Sequence, residues 1–237
     1  MTDPSQNMIN SPLRPAEHAE GTVIALLLDG AYPPGTALPA ERELAAQIGV
    51  TRPTLREALQ RLARDGWLTI QQGKPTRVND YWRDGGLNVL SALVRSGRSL
   101  PQDFIPNLLK VRLALAPVYA EKAVLNDPST VCAFLEAASA LPDTPGAYAV
   151  FDWHLHRMLT IASGNPIFTL ILNGFAGFYE QMAQRYFANL PARQSSQAFY
   201  SALFTAAQIG SVARAAEITH QAMQQSLEFW LKNHEGG

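Results

Sequence analysis

The sequence is poor in cysteine, in long apolar runs and in excess charge, and these absences exclude several classes of protein. One cysteine among 237 residues, Cys132, excludes an internal disulfide framework and is typical of a reducing compartment. No apolar run approaches the roughly 18 residues that a membrane-spanning helix needs, and the polar, proline-containing N-terminus lacks the pattern of a signal peptide. We therefore expect a cytoplasmic protein that has no membrane partner.

What the sequence does contain is typical of a globular protein with a sizeable core. Hydrophobic residues make up 47% of the chain and charged residues only 16%, a balance that excludes a disordered protein. Composition changes along the chain, because residues 38–78 carry seven Lys and Arg against four acidic side chains, whereas the whole chain has 19 against 20. We predict a flexible tail over residues 1–16, a first domain over 17–79, a linker and connecting helix over 80–100, and a second domain over 101–237.

The basic residues concentrate in one stretch, VTRPTLREALQRLARDGWL (residues 50–68), where four arginines are interleaved with leucines at helical spacing. Thr51 is a suitable N-cap and Pro53 fits the first turn, so we predict that a helix begins here. At about 100° per residue, its buried face is predicted to consist of Leu55, Ala58, Leu59 and Leu62. Arg52 and Arg56 then lie on the adjacent stripe, where they either read base edges or form a solvated basic face.

The neighbouring segments favour DNA reading. A short helix predicted over residues 40–48 ends at Gly49, and together with the basic helix it has the pattern of a helix-turn-helix. The stretch GWLTIQQGKPTRV then predicts two short strands, Trp67–Gln71 and Thr76–Val78, around a turn at Gly73. A hairpin directly after a recognition helix is typical of a wing, which reaches phosphates and the minor groove.

The stretch LPAERELAAQIGVTRPTLREALQRLARDGWLTIQQGKPTRV resembles the winged helix-turn-helix of the GntR family of bacterial transcription regulators. The segments GLNVL, NLLKVR, ASGNPIF, LILNG and RYFAN extend the resemblance to the FadR subfamily, over roughly residues 20–232. Most GntR proteins carry a serine at the position of Ala40, but FadR proteins share the alanine. The candidate DNA contacts are Arg42, Thr51, Arg52, Thr54, Arg56, Gln72, Gly73 and Lys74.

The rest of the chain is predicted to be all helical, because apolar residues recur at spacings of three and four between breakers such as NDPS, LPDTPG, SGNP and NLP. The predicted helices span residues 101–125, 129–140, 146–163, 167–188, 192–209 and 211–233. The predicted fold class is therefore mainly α, with an N-terminal winged helix-turn-helix domain and a C-terminal all-α antiparallel helical bundle. Bundle interiors commonly bind small ligands.

The FadR resemblance implies that the bundle binds a long-chain fatty acyl-CoA, which releases the protein from DNA. The residues that the resemblance places at this effector site are Arg112, His156, Tyr186, Tyr200, Met223, Ser226 and Trp230. Met223 and Ala222 depart from the pattern, since FadR proteins have a glycine and a tyrosine there, and a methionine changes the shape of the pocket. The resemblance further implies a homodimer on a palindromic DNA operator, repression of fatty acid degradation genes and activation of unsaturated fatty acid biosynthesis genes.

A metal site is the main alternative for the bundle. Many relatives with this type of C-terminal domain bind a metal through an aspartate and three histidines, and Asp152 and His156, four residues apart, match the first two. The later positions hold Tyr200 and Ala222, which are not usual ligands, and His220 is two residues out of register. We therefore predict no metal and no cofactor.

Catalysis has no support in the sequence. Cys132 has no base nearby, and no nucleophile elbow, P-loop or glycine-rich nucleotide motif is present, so we predict that the protein is not an enzyme. Three interpretations stay open: a ligand-responsive DNA-binding regulator, with acyl-CoA, another small molecule or a metal as effector; a constitutive architectural DNA-binding protein; and a metal-dependent helical-bundle enzyme. The first explains both halves of the chain.

Overall fold

The chain divides into two compact units, Met1–Arg98 and Ser99–Gly237. The structure, a computed structural model, describes residues 14–95 and 101–234. Among these residues, no helix combines the length and the apolar character that crossing a membrane requires. The predicted fold class is confirmed, since a small sheet accompanies helices in the first unit and helices make up the second.

The last two residues of the predicted tail, Pro15 and Ala16, belong to a helix. Residues 1–13 of the predicted tail, and residues 96–100 of the predicted connecting segment, lie outside the described residues. Pro15 already begins the first helix, because a proline in the first turn lacks only an N–H that would have no partner there. Ala16, one residue later, is buried.

The described part of the first unit contains five helices and one hairpin. The elements are α1 (Pro15–Leu28), α2 (Glu41–Ile48), α3 (Arg52–Asp65), β1 (Leu68–Thr69), β2 (Arg77–Val78), α4 (Tyr81–Asp84) and α5 (Leu87–Arg95). Thr51 caps α3 as predicted, with Oγ1 accepting a hydrogen bond from Thr54 N at 3.3 Å. The predicted buried face of α3 is confirmed, since each of its four apolar side chains is at most 2% exposed. The helix α1 packs against α3.

The wing strands are shorter than predicted. The strands β1 and β2 pair antiparallel, with Leu68 opposite Val78. The predicted first strand, Trp67–Gln71, is therefore too long at both ends. At its first end, Trp67 precedes the paired residues and is buried in the core, at 1% exposed. At its last end, continuing the ladder would set Gln71 opposite Pro75, which has no N–H to donate.

The second unit is a bundle of seven α-helices within its described residues. They are α6 (Phe104–Asn126), α7 (Pro128–Leu135), α8 (Pro145–Ala162), α9 (Pro166–Asn173), α10 (Ala176–Phe187), α11 (Leu190–Gln208) and α12 (Val212–His234). The two longest, α6 and α12, pack along each other, and α8 contacts α6, α9 and α10. Buried aromatic and aliphatic side chains fill the space between them, among them Tyr119, Phe151, Leu155, Phe187 and Leu203.

Two predicted helices are interrupted. The segment predicted as one helix over residues 129–140 is α7 followed by a 3-10 turn, Glu136–Ala140, in which Ser139 Oγ donates to Glu136 O at 2.9 Å. The segment predicted over residues 167–188 breaks into α9 and α10 after Gly174. Glycine weakens a helix because it loses the most backbone freedom on folding. This break gives the bundle a separate short helix, α9.

Candidate functional site

The exposed stripe of α3 and its neighbours offers several available donors. Arg52 opens α3 and Arg42 lies in α2; both are exposed, and neither forms an ion pair or side-chain hydrogen bond with any residue that the structure describes. Gln72 and Lys74, on the wing, are also exposed. These side chains keep their N–H groups available for phosphates or base edges.

Arg56 differs from Arg52, because Glu41 already holds it. Arg56 Nη2 donates to Glu41 Oε2 at 2.6 Å, and Nε donates to Oε1 at 3.3 Å, so α3 is joined to the first turn of α2. These hydrogen bonds lower the pKa of Glu41 and raise the pKa of Arg56. The two side chains remain 57% and 33% exposed. Since Glu41 occupies the edge formed by Nε and Nη2, the edge formed by Nη1 and Nη2 stays open.

The other two arginines of the stretch have acidic neighbours of their own. Arg61 lies 2.6 Å from Glu57 and 3.8 Å from Glu20, and Arg64 lies 3.5 Å from Asp65. Arg52 is therefore the arginine of α3 that carries the least compensated charge among the described residues.

The remaining candidates on the first unit have structural tasks. Thr51 Oγ1, which caps α3, lies 2.8 Å from Thr54 Oγ1, so the two hydroxyls bond to each other. Gly73 has a φ of +73° in the wing, a conformation that L side chains rarely adopt. This φ, and not crowding, favours the glycine, because no described atom lies within 4 Å of the place where a Cβ would be. The open space lets another molecule approach the backbone closely.

The second unit contains an apolar cleft between α6, α9, α10 and α12. Its volume is about 970 Å³, with open solvent at the mouth included. Apolar side chains form most of its wall, among them Leu108, Leu115, Phe168, Leu172, Phe175 and Met182. Of the seven residues predicted for an effector site, four line this cleft: Arg112, Tyr186, Ser226 and Trp230.

A pair of charges lies at the polar end of the cleft. Arg112 Nη2 donates to Asp152 Oδ2 at 2.7 Å, and both residues line the cleft. Asp152 also accepts hydrogen bonds from the hydroxyls of Tyr200, at 3.0 Å, and Tyr179. Burial alone would raise the pKa of Asp152, but Arg112 and the other partners outweigh it and hold the pKa below its ordinary value. The carboxylate is therefore ionised.

His156 is held neutral behind this pair. Its side chain is fully buried, with Nε2 at 2.6 Å from Arg112 Nη2 and Nδ1 at 2.7 Å from the Tyr119 hydroxyl oxygen. A guanidinium has no acceptor, so Nε2 accepts the hydrogen bond and the ring proton lies on Nδ1. Burial, and next the charge of Arg112, lower the pKa of His156 to about 3. Arg112, Asp152 and His156 together therefore carry no net charge.

The other three predicted residues do not line the apolar cleft. His156 and Tyr200 lie behind its polar end, bonded to the charged pair. Met223 is buried and lines a smaller neighbouring space of about 260 Å³, open solvent included. Tyr186 and Ser226 line both spaces, and the Tyr186 hydroxyl donates to Ser226 Oγ at 3.2 Å between them. Met223 therefore shapes the small cavity and not the wall of the cleft.

Sequence reasoning missed two contributors to this site. Tyr179 bonds to Asp152 and also places its ring 5.6 Å from the guanidinium carbon of Arg112. Its spacing of seven residues from Tyr186, two turns along α10, is the signal that could have indicated it. The second contributor is α9, which is rich in apolar residues yet has none that is buried. An apolar helix without a buried face indicates a wall that borders unfilled space.

The space between Asp152 and His156, where the metal alternative needs a cation, holds the guanidinium of Arg112. Its Nη2 is within 2.7 Å of both side chains. Nowhere in residues 14–95 and 101–234 do three or more His, Cys, Asp or Glu side chains converge. A metal ion between the aspartate and the histidine would have to displace Arg112.

Two family models match the chain, one over its first part and one over its second. The family model of the bacterial regulatory proteins of the gntR family matches residues 15–78, and that of the FadR C-terminal domain matches residues 79–236. A relative from Yersinia enterocolitica, named fatty acid metabolism regulator protein, is 46% identical over 198 residues, which are 84% of this chain and 83% of that protein. A relative of the same name from Salmonella paratyphi C is 43% identical over 223 residues, 94% of this chain and 93% of its own length.

Among solved structures, Lar of Listeria monocytogenes, described as controlling the expression of the agr system, shares the fold. Its TM-score is 0.64 at 14% sequence identity, over 94% of this chain and 99% of that one. The two family models together cover nearly all the described residues, and the two relatives extend over most of the chain. The chain therefore belongs to the GntR family of bacterial regulatory proteins, in the branch that carries a FadR C-terminal domain, and it is a transcription regulator and not an enzyme.

Proposed function

We propose that the protein is an acyl-CoA-responsive regulator of fatty acid metabolism, which binds operator DNA through its first unit and is released when a long-chain fatty acyl-CoA binds its second. The observation that carries the proposal is an apolar cleft that ends on a group of buried charges with no net charge. Relatives at 43% and 46% identity that are named fatty acid metabolism regulator protein support it.

The first unit supports operator binding. The donors of Arg42, Arg52 and Lys74 are available on α2, α3 and the wing, and an arginine fork matches the O6 and N7 acceptors of guanine. One recognition helix reads too few base pairs for specific binding, and two-fold proteins match two-fold operators. The proposed working form is therefore a homodimer on a palindromic operator, in the cytoplasm.

The cleft supports an acyl chain as part of the ligand. Its wall is formed by leucine, isoleucine, phenylalanine and methionine side chains from α6, α9 and α10, and α12 adds Trp230. Each methylene group of a ligand that leaves water for such a wall contributes about 0.8 kcal/mol, so affinity rises with chain length until the cleft is full.

The polar end of the cleft favours a thioester over a free carboxylate. Asp152 already compensates Arg112, so a fatty acid carboxylate would enter without an opposing charge, which is costly in a buried site. A neutral thioester brings no charge to this end of the cleft. The hydroxyls of Tyr186 and Ser226 lie on the same wall, and a thioester oxygen would accept the hydrogen bond that Tyr186 donates to Ser226 Oγ in the free protein.

Release from DNA requires that the ligand binds the free conformation more tightly than the DNA-bound one, because a ligand indifferent to both would shift nothing. The effect on a gene then depends on where its operator lies. An operator that blocks a promoter gives repression, as proposed for fatty acid degradation genes. An operator that assists the polymerase gives activation, as proposed for unsaturated fatty acid biosynthesis genes.

Calorimetric titration tests the effector. The full chain is titrated with octanoyl-, dodecanoyl- and palmitoyl-CoA, and with free palmitate and CoA as controls. We expect affinity to rise from octanoyl- to palmitoyl-CoA and both controls to bind far more weakly. In a mobility-shift assay with a duplex that the protein enriches from a random pool, palmitoyl-CoA should release the DNA.

Three other outcomes of these experiments would support the competing interpretations. If palmitoyl-CoA gives no heat and leaves the DNA complex unchanged, the effector is a different small molecule. A complex that resists every ligand points to a constitutive architectural protein. Elemental analysis that finds a stoichiometric metal favours a metal-dependent effector.

A further inference from the structure

The ion pair between Glu41 and Arg56 places a carboxylate on the surface proposed to face DNA. Glu41 belongs to the first turn of α2, next to Arg42, and is 33% exposed. The hydrogen bonds from Arg56 lower the pKa of Glu41 despite the opposing effect of burial, and the charge of Arg52 lowers it further to a smaller extent, so Glu41 is ionised. A carboxylate on this surface repels the phosphates of DNA and so weakens binding. Its presence there needs a role that offsets this cost.

The geometry of the pair indicates that role. Glu41 receives hydrogen bonds from Nε and Nη2 of Arg56, which is the side edge of the guanidinium. The end edge, with Nη1 and the second hydrogen of Nη2, faces no partner among the described residues. A guanidinium held by its side edge can still donate two parallel hydrogen bonds through its end edge, and these fit the O6 and N7 acceptors of guanine.

We propose that Glu41 is a positioning residue for DNA recognition, which holds Arg56 in the orientation that reads a guanine edge and prevents it from pairing with phosphates. The proposal rests on the proposed operator binding of the first unit. Holding Arg56 in advance reduces the side-chain freedom that is lost on binding. Neutralising Arg56 also weakens binding to DNA that offers no guanine at the matching place, because phosphates attract only the uncompensated cations.

The substitution Glu41→Gln separates these effects. Glutamine has the same size but no charge, so it cannot form a charged fork with Arg56. Freed Arg56 should then pair with phosphates, and affinity for nonspecific DNA should increase. The slope of log affinity against log salt concentration should become steeper by about 0.9 for each bound protomer, the contribution of one added phosphate contact. The ratio of operator to nonspecific affinity should fall by about tenfold, within the range for one bidentate base contact.

The control is Glu43→Gln, which removes one negative charge from the same turn of α2. Glu43 is exposed and forms no ion pair with a described residue. Binding is measured by fluorescence anisotropy across a salt series, with the duplex enriched by the wild-type protein and with poly(dA-dT), which offers no guanine edge, as nonspecific DNA. Glu43→Gln should change both affinities by similar factors and preserve their ratio.

A double substitution tests whether Glu41 acts through Arg56. In an Arg56→Ala background, adding Glu41→Gln should leave the ratio of affinities and the salt slope nearly unchanged. If the second substitution still lowers the ratio, or if Glu41→Gln behaves like Glu43→Gln, the positioning role is overturned. If the wild-type protein enriches no sequence at all, operator binding itself fails, and the role of Glu41 fails with it.

Discussion

At the scale of single residues, Arg112 connects the cleft to the core. Its guanidinium lines the cleft, remains 22% exposed as a side chain, and bonds to Asp152 and His156. Asp152 is in turn bonded to hydroxyls from α10 and α11. A ligand that moves Arg112 would therefore disturb contacts among α6, α8, α10 and α11. Arg112 thus connects ligand binding in the cleft to the packing of these four helices.

We predict that Asp152→Asn destabilises the second unit by about 3–5 kcal/mol, the usual cost of leaving one member of a buried ion pair without its partner. Urea unfolding of both proteins measures the difference. The control is Asp143→Asn, since Asp143 pairs with Arg193 while its side chain is 65% exposed, and its loss should cost about 0–1 kcal/mol. Equal effects of the two substitutions would contradict a structural role for the buried charge.

We predict that His156 makes the protein less stable as the pH falls. The unfolded chain takes up a proton near pH 6.5, whereas the folded chain, whose His156 has a pKa of about 3, does not. The free energy of unfolding therefore decreases below pH 6.5, by up to about 1.4 kcal/mol per pH unit. Asp152 and Glu41 have pKa values lowered from 3.8 and 4.5, so their contributions are lost only at lower pH.

The measurement is urea unfolding at about pH 7 and about pH 5, in the wild type and in His156→Gln. The variant should lose most of the difference between the two pH values. His154→Gln is the control, because His154 lies on the same helix but is exposed. A pH difference that persists in His156→Gln and disappears in His154→Gln would reverse the assignment.

At the scale of the elements, the sequence predicted correctly those helix ends and buried helix faces that depend on residues close together in the chain. The cap at Thr51, the apolar spacing of α3 and the end of α2 at Gly49 depend on residues within each helix or next to it, and the structure agrees with them. The predictions of one unbroken helix over residues 167–188 and of longer wing strands were wrong, because too little weight was given to Gly174 and Pro75, two local signals that oppose them. The bond between Arg112 and Asp152 joins residues 40 apart in the chain, so no local pattern could indicate it.

We predict that Arg52→Ala weakens operator binding by about 1–3 kcal/mol and relaxes the preference for one base, because Arg52 is the arginine of α3 without an ion pair among the described residues. Mobility shift with the enriched duplex and its single-base variants measures both effects. Arg61→Ala removes a cation from the same helix on the side that faces Glu57 and Glu20, and it should leave base preference intact.

At the scale of the whole molecule, the proposed DNA contacts and the proposed effector contacts belong to different compact units. The candidate DNA residues all lie in the first unit, and the cleft is formed by helices of the second. We therefore expect that a substitution in one unit can impair DNA binding, and one in the other can impair release by the effector, without affecting the other property.

We predict that Trp230→Ala leaves operator affinity within about twofold and raises the concentration of palmitoyl-CoA needed for release about tenfold or more. Trp230 is a half-buried residue that lines the cleft, and truncating an aromatic side chain that a ligand covers typically costs about 2 kcal/mol or more. Leu231→Ala is the control, because Leu231 is its neighbour on α12 and is 36% exposed. Loss of DNA binding in Trp230→Ala would show that the units are not independent in this way.

The short helix α9 has a thermodynamic consequence. All eight of its residues are described, none is buried, and its inner side chains border the cleft. An acyl chain in the cleft would supply the apolar contacts that α9 lacks. It would thereby extend the hydrophobic core of the second unit after the chain has folded. Unfolding the complex would then expose more apolar surface than unfolding the free protein. Scanning calorimetry should show a heat-capacity increment larger by about 0.45 cal/K/mol for each additional Å².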